Sequence, residues 1–332
     1  MRRRQFVALT AGTLAFPGIA LAQQTPRLYR IALLPDFRPA TEPLLKLFSE
    51  TLRGLGRIEG RDFVFYRSGI VAGGDFELAV RRVVDEKPDL IFTANLSYVI
   101  AAHQLTKTIP IVMWVSGFPV EGGVASSLAH PGKNVTGLTI YAGAQVFGKL
   151  LQLLREARPG VKRIGVLWTY VSPFHPAEEV EPMIAELRSA AASLRIDLRI
   201  RELAKPEQTG DALAAFAAER VEALLLTSGS STVPRRQEIL QFAIDRRLPT
   251  ITDFDWTGIE PQPLLRYAPL PEILIRQATA YVDRILWQGA KPGDLPIQLP
   301  ARYELVVNQK TARALGVKIP QSILLRADRV IE

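Results

Sequence analysis

The sequence contains no cysteine, so disulfides and thiolate chemistry are excluded. Its three histidines, His103, His130 and His175, are scattered, and no HExxH spacing occurs. A structural or catalytic zinc site is therefore not expected. No G-x-S-x-G elbow is present, so the run Ser228-Gly229-Ser230-Ser231 lacks the usual setting of a serine nucleophile. Beyond the first 22 residues, no segment reaches the roughly 20 uncharged apolar residues that a membrane span needs.

The start of the chain has a different character. Met1-Arg2-Arg3-Arg4-Gln5-Phe6 is basic, Val7 to Leu21 is mildly apolar, and Ala20-Leu21-Ala22 precedes Gln23. That order of basic region, short apolar region and A-x-A site is the pattern of a secretory signal, with cleavage expected after Ala22. Arg3-Arg4-Gln5-Phe6-Val7 also fits the twin-arginine pattern, with Sec export as the alternative. No cysteine follows the apolar region, so a lipoprotein anchor is not expected. Removing residues 1–22 removes three arginines and no acid, leaving 38 basic against 33 acidic side chains. Such a modest excess, spread along the chain, reads as a solvated surface and not as a nucleic-acid footprint.

The whole chain has 48% hydrophobic residues, and beyond residue 22 it alternates short β-branched runs with amphipathic stretches. This is the signature of parallel α/β layers. Strands are expected at 30–35, 62–66, 89–94, 110–115 and 135–141, with helices at 42–55, 76–86 and 97–106. In the first helix Leu44, Leu45, Phe48, Leu52 and Leu55 share one face. The pattern then restarts, with strands at 163–168, 197–201, 223–227 and 249–252 and helices at 177–194, 209–220 and 234–246. The tail adds a helix at 272–287, a strand at 303–307 and a short helix between Asn308, a good N-cap, and Gly316.

Two β-α-β-α-β-α-β units in tandem predict two doubly wound parallel-sheet lobes with a cleft between them. In such sheets ligands sit outside the carboxyl ends of the strands. The expected lobes are 28–141 plus about 268–300, and 142–267 plus about 301–332, after a signal peptide at 1–22. Hinge strands are expected near 141–143, 267–269 and 299–301.

Several segments together carry a family likeness. They are Arg3-Arg4-Gln5-Phe6, Leu55-Gly56-Arg57-Ile58-Glu59-Gly60-Arg61-Asp62 and His130-Pro131-Gly132-Lys133-Asn134-Val135-Thr136-Gly137-Leu138-Thr139. Near the end come Gly289-Ala290-Lys291-Pro292-Gly293-Asp294-Leu295-Pro296, Glu304-Leu305-Val306-Val307-Asn308, Ala314-Leu315-Gly316 and Ile319-Pro320-Gln321-Ser322. In this order and spacing the chain resembles the tryptophan/tyrosine-type ABC transporter substrate-binding proteins along nearly its whole length. The resemblance implies a type I periplasmic-binding fold that closes on a small-molecule ligand. It also implies a membrane permease and an ATPase as partners, a periplasmic location, and neither a cofactor nor enzymatic activity. It leaves open whether the ligand is an aromatic amino acid, another amino acid or an aromatic acid.

One segment imitates a nucleotide site. Gly143 to Leu150 nearly matches the P-loop, but Leu150 stands where a hydroxyl should hold Mg²⁺. Leu150, Leu153, Leu154 and Ala157 have the spacing of a buried helical face instead.

The candidate ligand residues follow the strands. In the first lobe they are Asp36 and Phe37, then Asn95, Ser97 and Tyr98 at a helix start suited to a carboxylate, then Ser116, Gly117 and Phe118. In the second lobe they are Trp168, Thr169 and Tyr170, then Ser228 and Ser230, then Asp253, Asp255 and Trp256. Aromatics here suit a planar ligand, and either aspartate suits an ammonium group. Each has a plainer alternative: Trp168 and Tyr98 as core, Asp253 and Asp255 as hinge braces. Trp114, within a strand, reads as core. Similar family members often carry Gly-Gly-Thr at positions 95–97, and Asn and Pro within 168–173, so this chain departs from them on both walls.

Two other functions share the scaffold: a ligand sensor that partners a membrane receptor, and a periplasmic enzyme. A LacI-like repressor needs an N-terminal helix-turn-helix, a place taken here by the export signal. Changing Arg3 and Arg4 together to lysine is expected to leave the precursor uncleaved inside the cell, read by intact mass. Normal cleavage after Ala22 in that variant assigns export to Sec.

Overall fold

A computed structural model describes residues 27–34, 42–67, 69, 76–94, 96–140, 145–169, 177–227, 231–254, 260–300 and 302–332. The described chain builds two sheets. The first contains β1 (Tyr29–Leu34), β2 (Phe63–Arg67), β3 (Leu90–Ala94), β4 (Ile111–Val115) and β5 (Val135–Gly137), all parallel, in the order β2-β1-β3-β4-β5. Its connections include α1 (Glu42–Gly54), α2 (Phe76–Asp85) and α3 (Leu96–Leu105).

After α4 (Gln145–Ala157) the second sheet begins with β6 (Arg163–Trp168), β7 (Asp197–Glu202), β8 (Ala223–Leu226), β9 (Thr250–Thr252) and β10 (Leu265–Pro269). Helices α5 (Ala177–Ser193), α6 (Thr209–Ala218) and α7 (Arg236–Asp245) alternate with them. The helix α8 (Pro271–Leu286) returns to pack on α1 and β4 of the first sheet. The chain then re-enters the second sheet with β11 (Tyr303–Asn308), α9 (Gln309–Leu315), α10 (Gln321–Leu324) and β12 (Arg329–Ile331). The full order is β12-β11-β10-β9-β8-β6-β7, with β11 antiparallel to β10. Read from β7 to β10, it repeats the order of the first sheet.

The parallel strands are continuous apolar runs because helices cover both faces. Ile111 to Val115 and Ala223 to Leu226 are buried without alternation. In α1, Leu45, Phe48 and Leu52 turn inward as their spacing predicts, and Phe48 stacks on Phe92 at 4.6 Å. Leu55 does not join them. The helix ends at Gly54, and Leu55 is 46% exposed in the turn that follows. In α9, the Asn308 side chain accepts the Thr311 N–H at 2.8 Å, the N-cap bond that leaves one fewer orphan donor.

The nucleotide-like segment is settled by this geometry. Gly148 and Lys149 lie inside α4, not in a phosphate loop, and Leu150, Leu153, Leu154 and Ala157 are buried.

Tyr267–Pro269, expected as hinge, forms the end of β10, and the crossing to α8 begins at Leu270. The expected strand at 135–141 is shorter, since β5 ends at Gly137 and Leu138 then bridges Gln298. A Cβ on Gly137 would lie 2.0 Å from the Met113 carbonyl oxygen, and φ there is +123°.

The signature segments touch one another. The Gly132 N–H donates to Gly293 O at 3.0 Å, the Thr136 hydroxyl to Leu295 O at 2.7 Å, and the Thr139 N–H to Gln298 O at 2.9 Å. Gly293 is obligatory at this approach, because a Cβ would lie 2.9 Å from Lys133 O. Further up the chain, Arg57 Nε donates to Asp283 at 2.8 Å and its guanidinium lies over Trp287 at 5.1 Å, tying the end of α1 to α8.

Asn134 ties a third point. Its side-chain amide donates to the carbonyls of Thr106 (3.1 Å) and Ile109 (2.8 Å), so its Oδ1 is left to accept from His103 Nδ1 at 2.6 Å. His103 is buried, and that desolvation holds its pKa below the usual imidazole value, against the opposing effect of the Asn134 bond and with help from Lys107 and Lys133. The neutral ring is the one that fits the fold. Its contribution is complete above the unfolded pKa of about 6.5 and is lost as pH falls from there through the lower folded value. Urea denaturation from pH 7.5 to 5.5 is therefore expected to show wild type losing stability relative to His103→Gln, with parallel curves refuting the assignment.

Candidate functional site

In each lobe the order of strands reverses between two neighbours, β1 and β3 in one and β6 and β8 in the other. In sheets of this kind ligands bind outside the carboxyl ends of the strands at such a reversal. Side-chain hydrogen bonds join the described strand ends at both reversals. In the first, the Thr93 hydroxyl donates to Leu34 O at 2.6 Å, joining the ends of β3 and β1. In the second, the Thr227 hydroxyl donates to Leu167 O at 2.9 Å and accepts the Thr169 N–H at 3.2 Å. The Thr169 hydroxyl lies 3.1 Å from it, and the Thr232 hydroxyl donates to Thr227 O at 3.1 Å. All four threonines are buried.

Ser97 and Tyr98 stand in the first turn of α3, directly beyond β3, and both are buried. Burial pushes the Tyr98 hydroxyl up to about 12, so it stays protonated and able to donate. Ser116, Gly117 and Phe118 leave β4. The Ser116 carbonyl accepts the Ile140 N–H at 2.8 Å, which ties this loop to the chain as it leaves the first sheet. Phe118 has φ of +50°, an uncommon region for a bulky side chain, and its carbonyl accepts the Gly122 N–H at 2.8 Å. Trp168 and Thr169 end β6, and Asp253 follows β9, all buried. Asp36, Phe37, Asn95, Tyr170, Ser228, Ser230, Asp255 and Trp256 fall outside the described residues.

The two lobes meet through aromatic rings. Phe118 of the first lies 6.0 Å from Phe147 of α4, nearly parallel at 19°. Phe147 in turn lies 5.3 Å from Trp168. Trp114 stacks on Phe92 behind it and reaches Phe254, beyond β9, edge-on at 6.4 Å. Trp114 is thus a core residue that also forms part of the seam. Trp168 ends β6 and is fully buried, as its core alternative expects.

Three groups escaped the sequence reading. Phe147 sits in an amphipathic helix, where its spacing signals only burial. Arg266 of β10 is 7% exposed, stands in register with Thr252, and faces Glu304 at 3.6 Å. An arginine in a short strand ending in proline carried no signal of a buried ion pair. Tyr303 stacks on Tyr267 at 5.5 Å and donates its hydroxyl to Ile140 O, across the connection between lobes. Among the described residues no three His, Asp or Glu side chains gather as a metal site.

Two sheets that share one order of parallel strands, meeting at an aromatic seam, define a two-lobed protein of the type I periplasmic-binding fold. The family model for ABC transporter substrate binding proteins matches residues 46–331, and the chain belongs to that family. It is similar to the tyrosine-binding protein of Clostridioides difficile, 24% identical over 238 residues, which is 71% of this chain and 66% of that protein, just under two thirds of its length. It is also similar to the solved structure of a conserved domain protein from Vibrio cholerae, at 25% identity and TM-score 0.79, covering 92% of this chain and 100% of that one. The ABC domain from Streptococcus pneumoniae in complex with L-Trp matches with the same coverage, at 20% identity and TM-score 0.78.

The threonine clip gives a direct expectation. Thr227→Val keeps shape and leaves Leu167 O its bond from the Thr227 N–H, but takes away the hydroxyl that the Thr169 N–H donates to, which costs about 1–3 kcal/mol. The urea midpoint is expected to fall accordingly, and an unchanged midpoint denies the clip its role.

Proposed function

We propose that the protein is the exported binding component of an ABC importer, and that it takes an amino acid or an aromatic carboxylate between its lobes. The observation that carries this is the aromatic seam at which the strand ends of the two sheets meet, with the buried polar side chains of Ser97, Thr169 and Asp253 beyond those strands. Asp253 supplies a buried carboxylate for an ammonium group. Ser97 and the first turn of α3 supply donors for a carboxylate. Tyr98 and Trp168 give the apolar, planar lining that an aromatic side chain prefers. The relative named for tyrosine and the structure solved with L-Trp support the same ligand class.

In this reading the solute binds one lobe first, and closure brings the second lobe onto it. The closed protein then delivers its cargo to a membrane permease driven by an ATPase, and no bond in the solute is made or broken. The basic, apolar and A-x-A order of residues 1–22 supports delivery to the periplasm. No helix among the described residues is long and apolar enough to cross a membrane.

Thermal unfolding of residues 23–332 against amino acids and aromatic carboxylates tests the ligand. A solute present at about 100 times its dissociation constant adds roughly 2.7 kcal/mol to the folded state. An aromatic amino acid is expected to raise the unfolding temperature, and Asp253→Asn to remove most of that rise. No response across the panel sinks the ligand class, and chemical conversion of any solute sinks the binding-only reading.

A further inference from the structure

We infer that Phe147 is a positioning residue whose stack on Phe118 latches the two lobes and sets how often the protein closes without solute. The two rings belong to different bodies. Phe118 follows β4 of the first sheet, while α4, which carries Phe147, packs on α5, β8 and β9 of the second. A movement that separates the two sheets at this contact parts them. Both rings are completely buried in the arrangement described. Opening therefore exposes apolar area on each, and that loss opposes it.

The backbone around Phe118 is built for one arrangement. A φ of +50° persists for a bulky residue only where its surroundings hold it. Those surroundings are the Gly122 N–H on its carbonyl and the Phe147 ring on its side chain. The contact continues inward, because Phe147 also lies against Trp168, the residue that ends β6. Closure and the position of Trp168 in the solute-facing wall are thus joined through one ring. A solute that needs Trp168 in place gains from a latch that is already shut.

The inference rests on the binding-protein reading only in supposing that the lobes move, and its test needs no solute. Because the chain has no native cysteine, Lys46→Cys on α1 and Arg188→Cys on α5 give a unique pair of spin-label sites. Those side chains are 78% and 59% exposed. Electron–electron distance measurement on the solute-free protein is expected to show a short-distance, closed population. Phe147→Leu keeps an apolar side chain but loses the stack. Phe118→Asn loses the ring while tolerating the positive φ. Each is expected to reduce the closed population roughly tenfold, within the range of an aromatic pair together with its buried area. The double variant is expected to do little more than either single one, since both remove the same contact.

Phe242→Leu, a ring on α7 away from the seam, serves as the control and should leave the distribution unchanged. The latch is overturned by an unaltered distribution in folded variants, by fully additive effects, or by a wild type with no closed population. A distribution that responds as expected while no amino acid binds leaves the latch standing and rejects the ligand class.

Discussion

A short run of backbone bonds ties the returning chain beyond α8 to the edge of the first sheet. Along residues 128–139 and 293–298 the N–H groups of Gly132, Ile297, Gln298 and Thr139 find carbonyls across the gap, and the Thr136 hydroxyl finds Leu295 O. Two glycines make the approach possible, Gly137 against Met113 and Gly293 against Lys133. From this seam the chain passes to α4 on one side and to β11 on the other, so both lobes depend on it. Tyr303, reaching from β11 to the Ile140 carbonyl, anchors the second connection to the same point.

The family signature lies in this seam and in the clamp of Arg57 on Asp283 and Trp287, not in the crevices. Its residues are demanded by backbone approach, capping and a buried ion pair. Those demands are the same whatever solute is carried. The loops beyond the strand ends carry none of these motifs. Hence the family was legible from short motifs while the ligand was not.

Most elements were legible as well. The runs at 111–115 and 163–168 are apolar without alternation, and only a parallel strand covered on both faces needs that. The stripe at Leu150, Leu153, Leu154 and Ala157 excluded a phosphate loop before any coordinates did. The failures have physical causes. Residues 265–269 are a strand only because β9 and β11 flank them, a pairing that local propensity does not encode. Leu55 has the right spacing for the α1 face, but spacing does not say where a helix stops. Phe147 and Arg266 belong to a site because of what approaches them from elsewhere in the chain.

By itself the sequence determined the alternation of strands and helices, the repeat of the unit and the set of segments that follow the strands. These depend on neighbours within a few residues, where periodicity and capping act. Tertiary structure alone decided which strand pairs with which, that Phe118 meets Phe147, that Arg266 is buried beside Glu304, and that two distant signature segments share one seam. Those outcomes are settled by which surfaces exclude water together, and that is a property of residues well separated in sequence, from Phe118 and Phe147 to Gly132 and Gly293.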